Sequence, residues 1–233
     1  MEEITMKKRI GLLGGISYTS TLKYYSLLME KYHRLKKDYY YPEVIIYSLD
    51  FQKFTDFEDR GQLNDYEKYI RSGLAALKRA GAEVIAMTAN SPHKVFDKVK
   101  NFDEITMISI VESACGKARS KAMKKVLLLG IKFTMQSSFY QEVFENNGIG
   151  VITPSDKEQD LINKIIFEEL AIGIINPFSK IDLLNIINRY KVDGVILGCT
   201  ELPLILIESD TTVELIDTID LHTSEILKAA LNN

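Results

Sequence analysis

Six short apolar runs, continuous rather than alternating, constrain this chain more than any other feature. They are Arg9–Gly14, Glu43–Ser48, Glu83–Met87, Thr106–Ile110, Lys125–Gly130 and Gly194–Gly198. A strand with one wet face alternates apolar and polar residues; an unbroken apolar run is what a parallel strand covered on both faces requires. Longer amphipathic stretches lie between the runs. Ser20–Leu35 has helical spacing with Ser17, Thr19 and Ser20 as candidate caps, and Tyr66–Ala80 stops at Gly81. Ile110–Met123, Lys157–Ala171 (stopping at Gly173) and Ile181–Tyr190 read the same way. Strand and helix in alternation predict an α/β fold built on parallel sheets.

The pattern occurs twice. Arg9–Tyr24, a strand followed by Gly14-Gly15, a Ser/Thr-rich turn and a helix, is echoed by Lys125–Tyr140 with Gly130, Thr134 and Ser137-Ser138. Each copy leads to a second strand-end loop. One is Ala82–His93; the other is Val192–Pro203. Laying Asp193 over Glu83 sets Cys199 on Ala89, Thr200 on Asn90 and Glu201 on Ser91. We therefore expect two similar parallel-sheet lobes related by a pseudo-two-fold axis, residues 1–104 plus 214–233 and residues 105–213, with the active site between them. Ligands of open parallel sheets bind outside the carboxyl ends of the strands, where these loops fall. The stretch Val213–Asn233 has no counterpart in the first half and is expected to pack back on the first lobe.

With 233 residues, 46% hydrophobic and 26% charged, the chain has the composition of an ordinary globular protein. The net charge of −3 comes without a basic stripe, which argues against a nucleic-acid partner. No apolar run reaches the roughly 18 residues that suggest a membrane span. The segment Met1–Arg9 lacks the apolar core of a secretory signal, so a cytoplasmic location is expected. Two scattered cysteines and three histidines without metal-ligand spacing predict neither a disulfide framework nor a metal site. Gly11–Gly15 lacks both the dinucleotide fingerprint and the Gly-Lys-Ser/Thr of a phosphate loop, and reads as a tight turn with substrate contact as the alternative.

Cys199 is the leading candidate for chemistry. It follows Gly198 at a strand end and precedes a turn into a helix, a position that can lower a thiol pKa; the bland reading is a small buried apolar residue. Cys115 lies within a predicted helix and reads as packing. His93 and His222 are each open to orienting a thiol, binding a carboxylate or filling the core. Thr134, Asn90, Ser91 and Thr200 are short polar groups at strand ends, suited to holding an α-carboxylate. Lys164 stands four residues from Asp160 and from Glu168, a spacing that fits surface ion pairs.

Taken together, Gly11–Gly15 with its Ser/Thr turn, Thr88–His93, Gly130–Met135, Gln159–Gly173, Gly198–Pro203 and Asp217–His222 resemble the aspartate/glutamate racemase family, nearly end to end. The resemblance implies an isomerase of amino-acid metabolism that uses no cofactor. In it one cysteine from each lobe flanks the substrate Cα, one thiolate removing the proton and the opposite thiol returning one. It further implies that Asn90, Ser91, Thr134 and Thr200 contact the α-carboxylate or amine. Lys164, and after it Arg60, reads the side-chain carboxylate of an acidic amino acid or dicarboxylate. His222 polarises Cys199 as an imidazolium, and the protein is a homodimer. The chain departs from the family at the first loop, which there reads Cys-Asn-Thr-x-His: the cysteine is replaced by Ala89, or by Thr88 if the frame slides by one. Cys199 is left as the single thiol, and racemisation is expected to be slow or one-sided. A one-thiol decarboxylase or isomerase of dicarboxylates in the same scaffold, or a carboxylate-binding homologue without activity, are the alternatives.

Overall fold

The computed structural model describes residues 7–231; the first six residues, which belong to the segment read for targeting, lie outside them. In chain order the elements of the first half are β1 (Ile10–Gly14), α1 (Tyr18–Lys36), β2 (Val44–Ser48), α2 (Phe51–Asp59), α3 (Leu63–Arg79), β3 (Val84–Met87), the single turn α4 (Phe96–Val99) and β4 (Thr106–Ile108). Then follow α5 (Ile110–Ser120), β5 (Lys125–Leu129), the single turn α6 (Lys132–Met135), α7 (Phe139–Glu145), β6 (Gly150–Ile152), α8 (Asp156–Glu168), α9 (Pro177–Arg189), β7 (Gly194–Leu197), β8 (Glu214–Asp217) and α10 (Thr218–Ala230).

The strands form two four-stranded sheets, ordered β2-β1-β3-β4 and β6-β5-β7-β8. Every pairing is parallel. The two orders are the same order, so the sequence repeat is a repeat of topology. In the second sheet Leu127, Leu129, Val195 and Leu197 join α8 and α9 residues in one core, while Val126, Leu128, Ile196 and Ile216 join α5 and α7 residues in another. Burial on both faces is the physical reason these strands read as unbroken apolar runs.

The chain divides into two compact units, Met1–Ser109 with His222–Asn233, and Ile110–Leu221. The boundaries expected from sequence, after 104 and after 213, fall elsewhere. β4 pairs in register with β3 (Ile85 opposite Met107), which keeps it in the first unit. β8 pairs with β7 (Ile196 opposite Ile216), which keeps 214–221 in the second. Only from His222 does the C-terminal stretch join the first unit, where the Lys8 N–H donates to the Ala230 carbonyl at 2.9 Å. Several elements escape a reading by pattern, among them α2, whose N-terminus is capped by the Asp50 carboxylate accepting from the Lys53 N–H, and β6, only three residues long.

Each sheet order changes direction at its central pair, β1-β3 and β5-β7. That switch is where a parallel sheet opens a crevice at its strand ends. At the end of β1 Gly15 has φ +83°, and a side chain there would meet the Leu49 backbone at 2.3 Å. The glycine is a requirement of the turn, as the bland reading had it.

Candidate active site

The second unit carries Cys199 two residues past the end of β7. Gly198 makes its placement possible: the Gly198 N–H donates to the Leu129 carbonyl at 2.7 Å, and a Cβ at 198 would stand 2.8 Å from that same oxygen. The two strand ends thus touch backbone to backbone, and the next residue leaves the sheet with its side chain free to turn. Cys199 is 9% exposed. Its Sγ donates to Glu201 Oε2 at 3.0 Å, and the Thr200 hydroxyl donates to the same oxygen at 2.7 Å. Burial first, and then the charge and hydrogen bond of Glu201, push the thiol well above its ordinary range. The lowered pKa expected at a helix start is absent for a clear reason. The turn that follows, Leu202–Leu204, has three residues and too little dipole to oppose a neighbouring carboxylate.

Thr134 belongs to this neighbourhood. Its Cγ2 lies 3.7 Å from the Cβ position of Gly198. The residue is fully buried, and its hydroxyl has no hydrogen-bond partner. A buried hydroxyl without a partner carries a desolvation cost of about 1–3 kcal/mol, which a ligand acceptor would relieve. Lys164 does not share this setting. It stands on α8 with its side chain 66% exposed, 3.8 Å from Glu168, while Asp160 is taken by Lys132 at 2.5 Å.

The first unit carries the matching loop after β3, and the register fixes the frame. Leu13 pairs with Met87, and Leu129 with Leu197; the Thr88 N–H then donates to the Leu13 carbonyl as the Gly198 N–H does to Leu129. Glu83 Oε2 accepts from the Arg9 N–H at 2.9 Å, as Asp193 Oδ2 accepts from Lys125 N–H at 2.9 Å. Thr88 therefore takes the place of Gly198, and Ala89 the place of Cys199. The sliding frame that offered Thr88 as a proton donor is set aside. Thr88 is fully buried, and its hydroxyl lies 3.3 Å from the Leu13 carbonyl and 3.3 Å from the Thr21 hydroxyl. Ala89 sits in the core of this unit, and Asn90 and Ser91 are buried beside it. Arg60 ends α2 in solvent, paired with Asp56 at 3.2 Å.

His93 and His222 are core residues. His222 Nε2 donates to the Ile108 carbonyl at 2.9 Å, which makes Nδ1 the acceptor for the Tyr24 hydroxyl at 2.7 Å. Burial lowers its pKa to about 4. His93 Nδ1 donates to the Ala89 carbonyl at 3.1 Å; burial, and then the nearby His222, lower its pKa to about 3. The imidazolium expected to polarise Cys199 is not available at neutral pH. Cys115 is buried in the core around α5, as its helical position suggested. Among the described residues no cluster of His, Cys, Asp or Glu could hold a metal ion, and no helix is long and apolar enough to cross a membrane.

Two groups were missed by sequence reading: Glu201, whose carboxylate takes the Cys199 and Thr200 hydrogens, and Glu58, bonded to Tyr66 on α3. The Cys-Thr-Glu tripeptide held a signal for the first. The second is brought to its partners only by the fold.

Two units of one parallel topology, each ending its central strands in a polar loop, define a duplicated α/β scaffold. The chain belongs to the Asp/Glu/hydantoin racemase family, whose model matches residues 13–226. It is similar to the broad specificity amino-acid racemase RacX of Bacillus subtilis (strain 168), at 28% identity over 218 residues, covering 90% of this chain and 92% of that protein. Among solved structures it is similar to an aspartate racemase homologue from Pyrococcus horikoshii OT3, with 39% identity, a TM-score of 0.83, and coverage of 96% of this chain and 99% of that one. The fold is also that of the Picrophilus torridus aspartate racemase, at 22% identity and a TM-score of 0.76 over 96% and 94% of the two chains.

Proposed function

We propose that this chain is a cofactor-independent racemase of an acidic amino acid, aspartate or glutamate, in which Cys199 is the one thiol that moves the Cα proton. The observation that carries this reading is the Cys199 Sγ to Glu201 Oε2 hydrogen bond of 3.0 Å, beside the unpartnered hydroxyl of Thr134. Family membership and the racemases it resembles support the reaction class.

The resting thiol is neutral, so catalysis starts with its proton passing to Glu201. The thiolate then takes the Cα proton, and the Cα–H electron pair moves into the α-carboxylate to give an enediolate. Hydroxyl and amide donors at Thr134, Thr200, Asn90 and Ser91 hold the growing charge. Lys164 and Arg60, expected to read the side-chain carboxylate, stand in solvent beside Glu168 and Asp56 and are given no part in this step. Return of a proton from Cys199 to the face it came from restores the starting enantiomer with solvent label. Inversion needs a donor on the opposite face, and Ala89 supplies none; water does so poorly. Since a positioned acid or base is worth about 10²–10⁴-fold, exchange outruns inversion.

The test is incubation of each enantiomer of aspartate and glutamate in D₂O. We expect deuterium at Cα in one enantiomer, little inversion, and loss of exchange in Cys199→Ser. No exchange with any of the four, or exchange unchanged in Cys199→Ser, overturns the proposal. A second reading is favoured by the neutral state of the thiol: a protonated Cys199 is ready to protonate one face of an enediolate left by loss of CO₂, and CO₂ release from malonates would replace the first reading with it. Calorimetric binding of a dicarboxylate without exchange would replace both with a carboxylate-binding role. A cytoplasmic homodimer is part of the proposal, tested by cell fractionation and sedimentation.

A further inference from the structure

The half of the molecule without a thiol holds a carboxyl group that the mechanism above does not use. Glu58 lies in the last turn of α2 and is partly buried. The hydroxyl of Tyr66, fully buried on α3, donates to Glu58 Oε1 at 2.9 Å. The Ser91 hydroxyl is within reach of both the Glu58 carboxylate and the Tyr66 oxygen, and its one hydrogen can go to either. Ser91 opens the turn two residues past Ala89. Three side chains from three elements thus meet at the loop that stands where the other unit has its thiol loop.

We propose that Glu58 is a positioning residue that decides, by holding or releasing one proton, whether the Ser91 hydroxyl gives its hydrogen to the substrate carboxylate or to Glu58. The inference rests on the reading of Ser91 as a carboxylate contact. A serine hydroxyl has one hydrogen. An ionised Glu58 can only accept, so it takes that hydrogen and turns the Ser91 lone pairs outward. A protonated Glu58 donates its own O–H to Ser91 Oγ, and the serine hydrogen is released to a carboxylate. Tyr66 stays a donor in both states, because burial and Glu58 hold its pKa well above the ordinary tyrosine range. Burial of the carboxyl, opposed by the bonds from Ser91 and Tyr66 and aided by Asp59, raises Glu58 to about 7. His93 and His222 titrate below the neutral range and Cys199 above it, so they do not share this window.

The experiment measures binding of each enantiomer of aspartate and glutamate by calorimetry, and KM and kcat for Cα deuterium exchange, from pH 5.5 to 8.5. It uses the wild type, Glu58→Gln and Ser91→Ala. A glutamine amide donates to Ser91 and accepts from Tyr66, which fixes the protonated arrangement at every pH. For the wild type we expect Kd and KM to climb about tenfold to a hundredfold through a midpoint near 7, the worth of a hydrogen bond to a charged group. Glu58→Gln is expected to stay flat at the low-pH value and Ser91→Ala flat at the high-pH value, with kcat changing far less than KM. A wild-type affinity that is flat across the range overturns the proposal without any variant; so does a Glu58→Gln protein that keeps the wild-type slope. Binding with the expected pH profile but no exchange removes the racemase reading and leaves the Glu58 linkage standing. Absence of binding for every enantiomer of aspartate and glutamate removes both.

Discussion

Acid should unfold the first unit through two histidines. His93 and His222 are held neutral in the folded state, at about 3 and about 4, against an ordinary value of 6.5. Their ring centroids are 6.0 Å apart, and charging one makes charging the other harder. Because the folded pKa values are depressed, the unfolded chain binds more protons than the native one below pH 6.5, and stability falls as the pH falls. At pH 5 each histidine is 1.5 units below its unfolded value while still neutral in the fold, which costs about 2 kcal/mol each at about 1.36 kcal/mol per unit, or about 4 for the pair. Glu58 works in the opposite sense. Its folded pKa of about 7 lies above the ordinary 4.5, so between pH 7 and pH 5 it binds a proton in the fold that the unfolded chain does not. That returns about 2 kcal/mol. The wild type should therefore lose about 2 kcal/mol between pH 7 and pH 5, and Glu58→Gln about 4. Urea unfolding followed by circular dichroism, with hydrogen exchange of peptides covering β3 and α10 to localise the loss, measures both. If Glu58→Gln loses less than about 1 kcal/mol over this interval, the two rings are not buried neutral bases and the site description is wrong.

Installing the missing thiol with Ala89→Cys should convert one-sided exchange into inversion, seen as decay of optical rotation. An unchanged ratio of inversion to exchange would show that position 89 does not face the substrate. Thr134→Val should raise stability by up to about 1 kcal/mol, because it removes a buried hydroxyl without a partner, while raising KM about tenfold; urea midpoints and exchange kinetics report the two effects. Glu201→Gln should move the alkylation profile of Cys199 to lower pH, since the carboxylate that raises the thiol is gone, and should lower kcat for exchange by about 10²-fold if Glu201 is the group that receives the thiol proton. Gly198→Ala should cost about 1–3 kcal/mol, as its Cβ would stand 2.8 Å from the Leu129 oxygen and from a Leu128 methyl.

How much of this was legible in the chain follows from how far apart in sequence each determinant lies. The central strands were readable because both faces are buried, so that Val126-Leu127-Leu128-Leu129 is apolar at every position; the edge strand β2 reads the same way although Ile46 and Tyr47 are exposed. The repeat was readable in its opening turns, where a side chain at Gly14 would meet Thr21 and one at Gly130 the Gly198 backbone; at the second strand end the letters differ, Thr88 standing where the other copy has Gly198. The domain boundary was misplaced because β4 and β8 are edge strands whose membership is decided by pairing, Ile85 with Met107 and Ile196 with Ile216; their own apolar patterns are alike and say nothing about which sheet they join. Cys199 stood out as a candidate, but its charge state did not, for the same reason that Glu58 escaped notice altogether. A thiol's position before a turn suggests a helix dipole, whereas its proton is governed by a carboxylate at 3.0 Å and by the depth of burial, and neither distance nor depth is written in spacing. Glu58 meets Tyr66 across a helix junction and Ser91 across 33 positions of chain. Electrostatic function of this kind is a property of three-dimensional neighbours, so the groups that tune a site are the last that a sequence discloses, even where the groups that build it are plain.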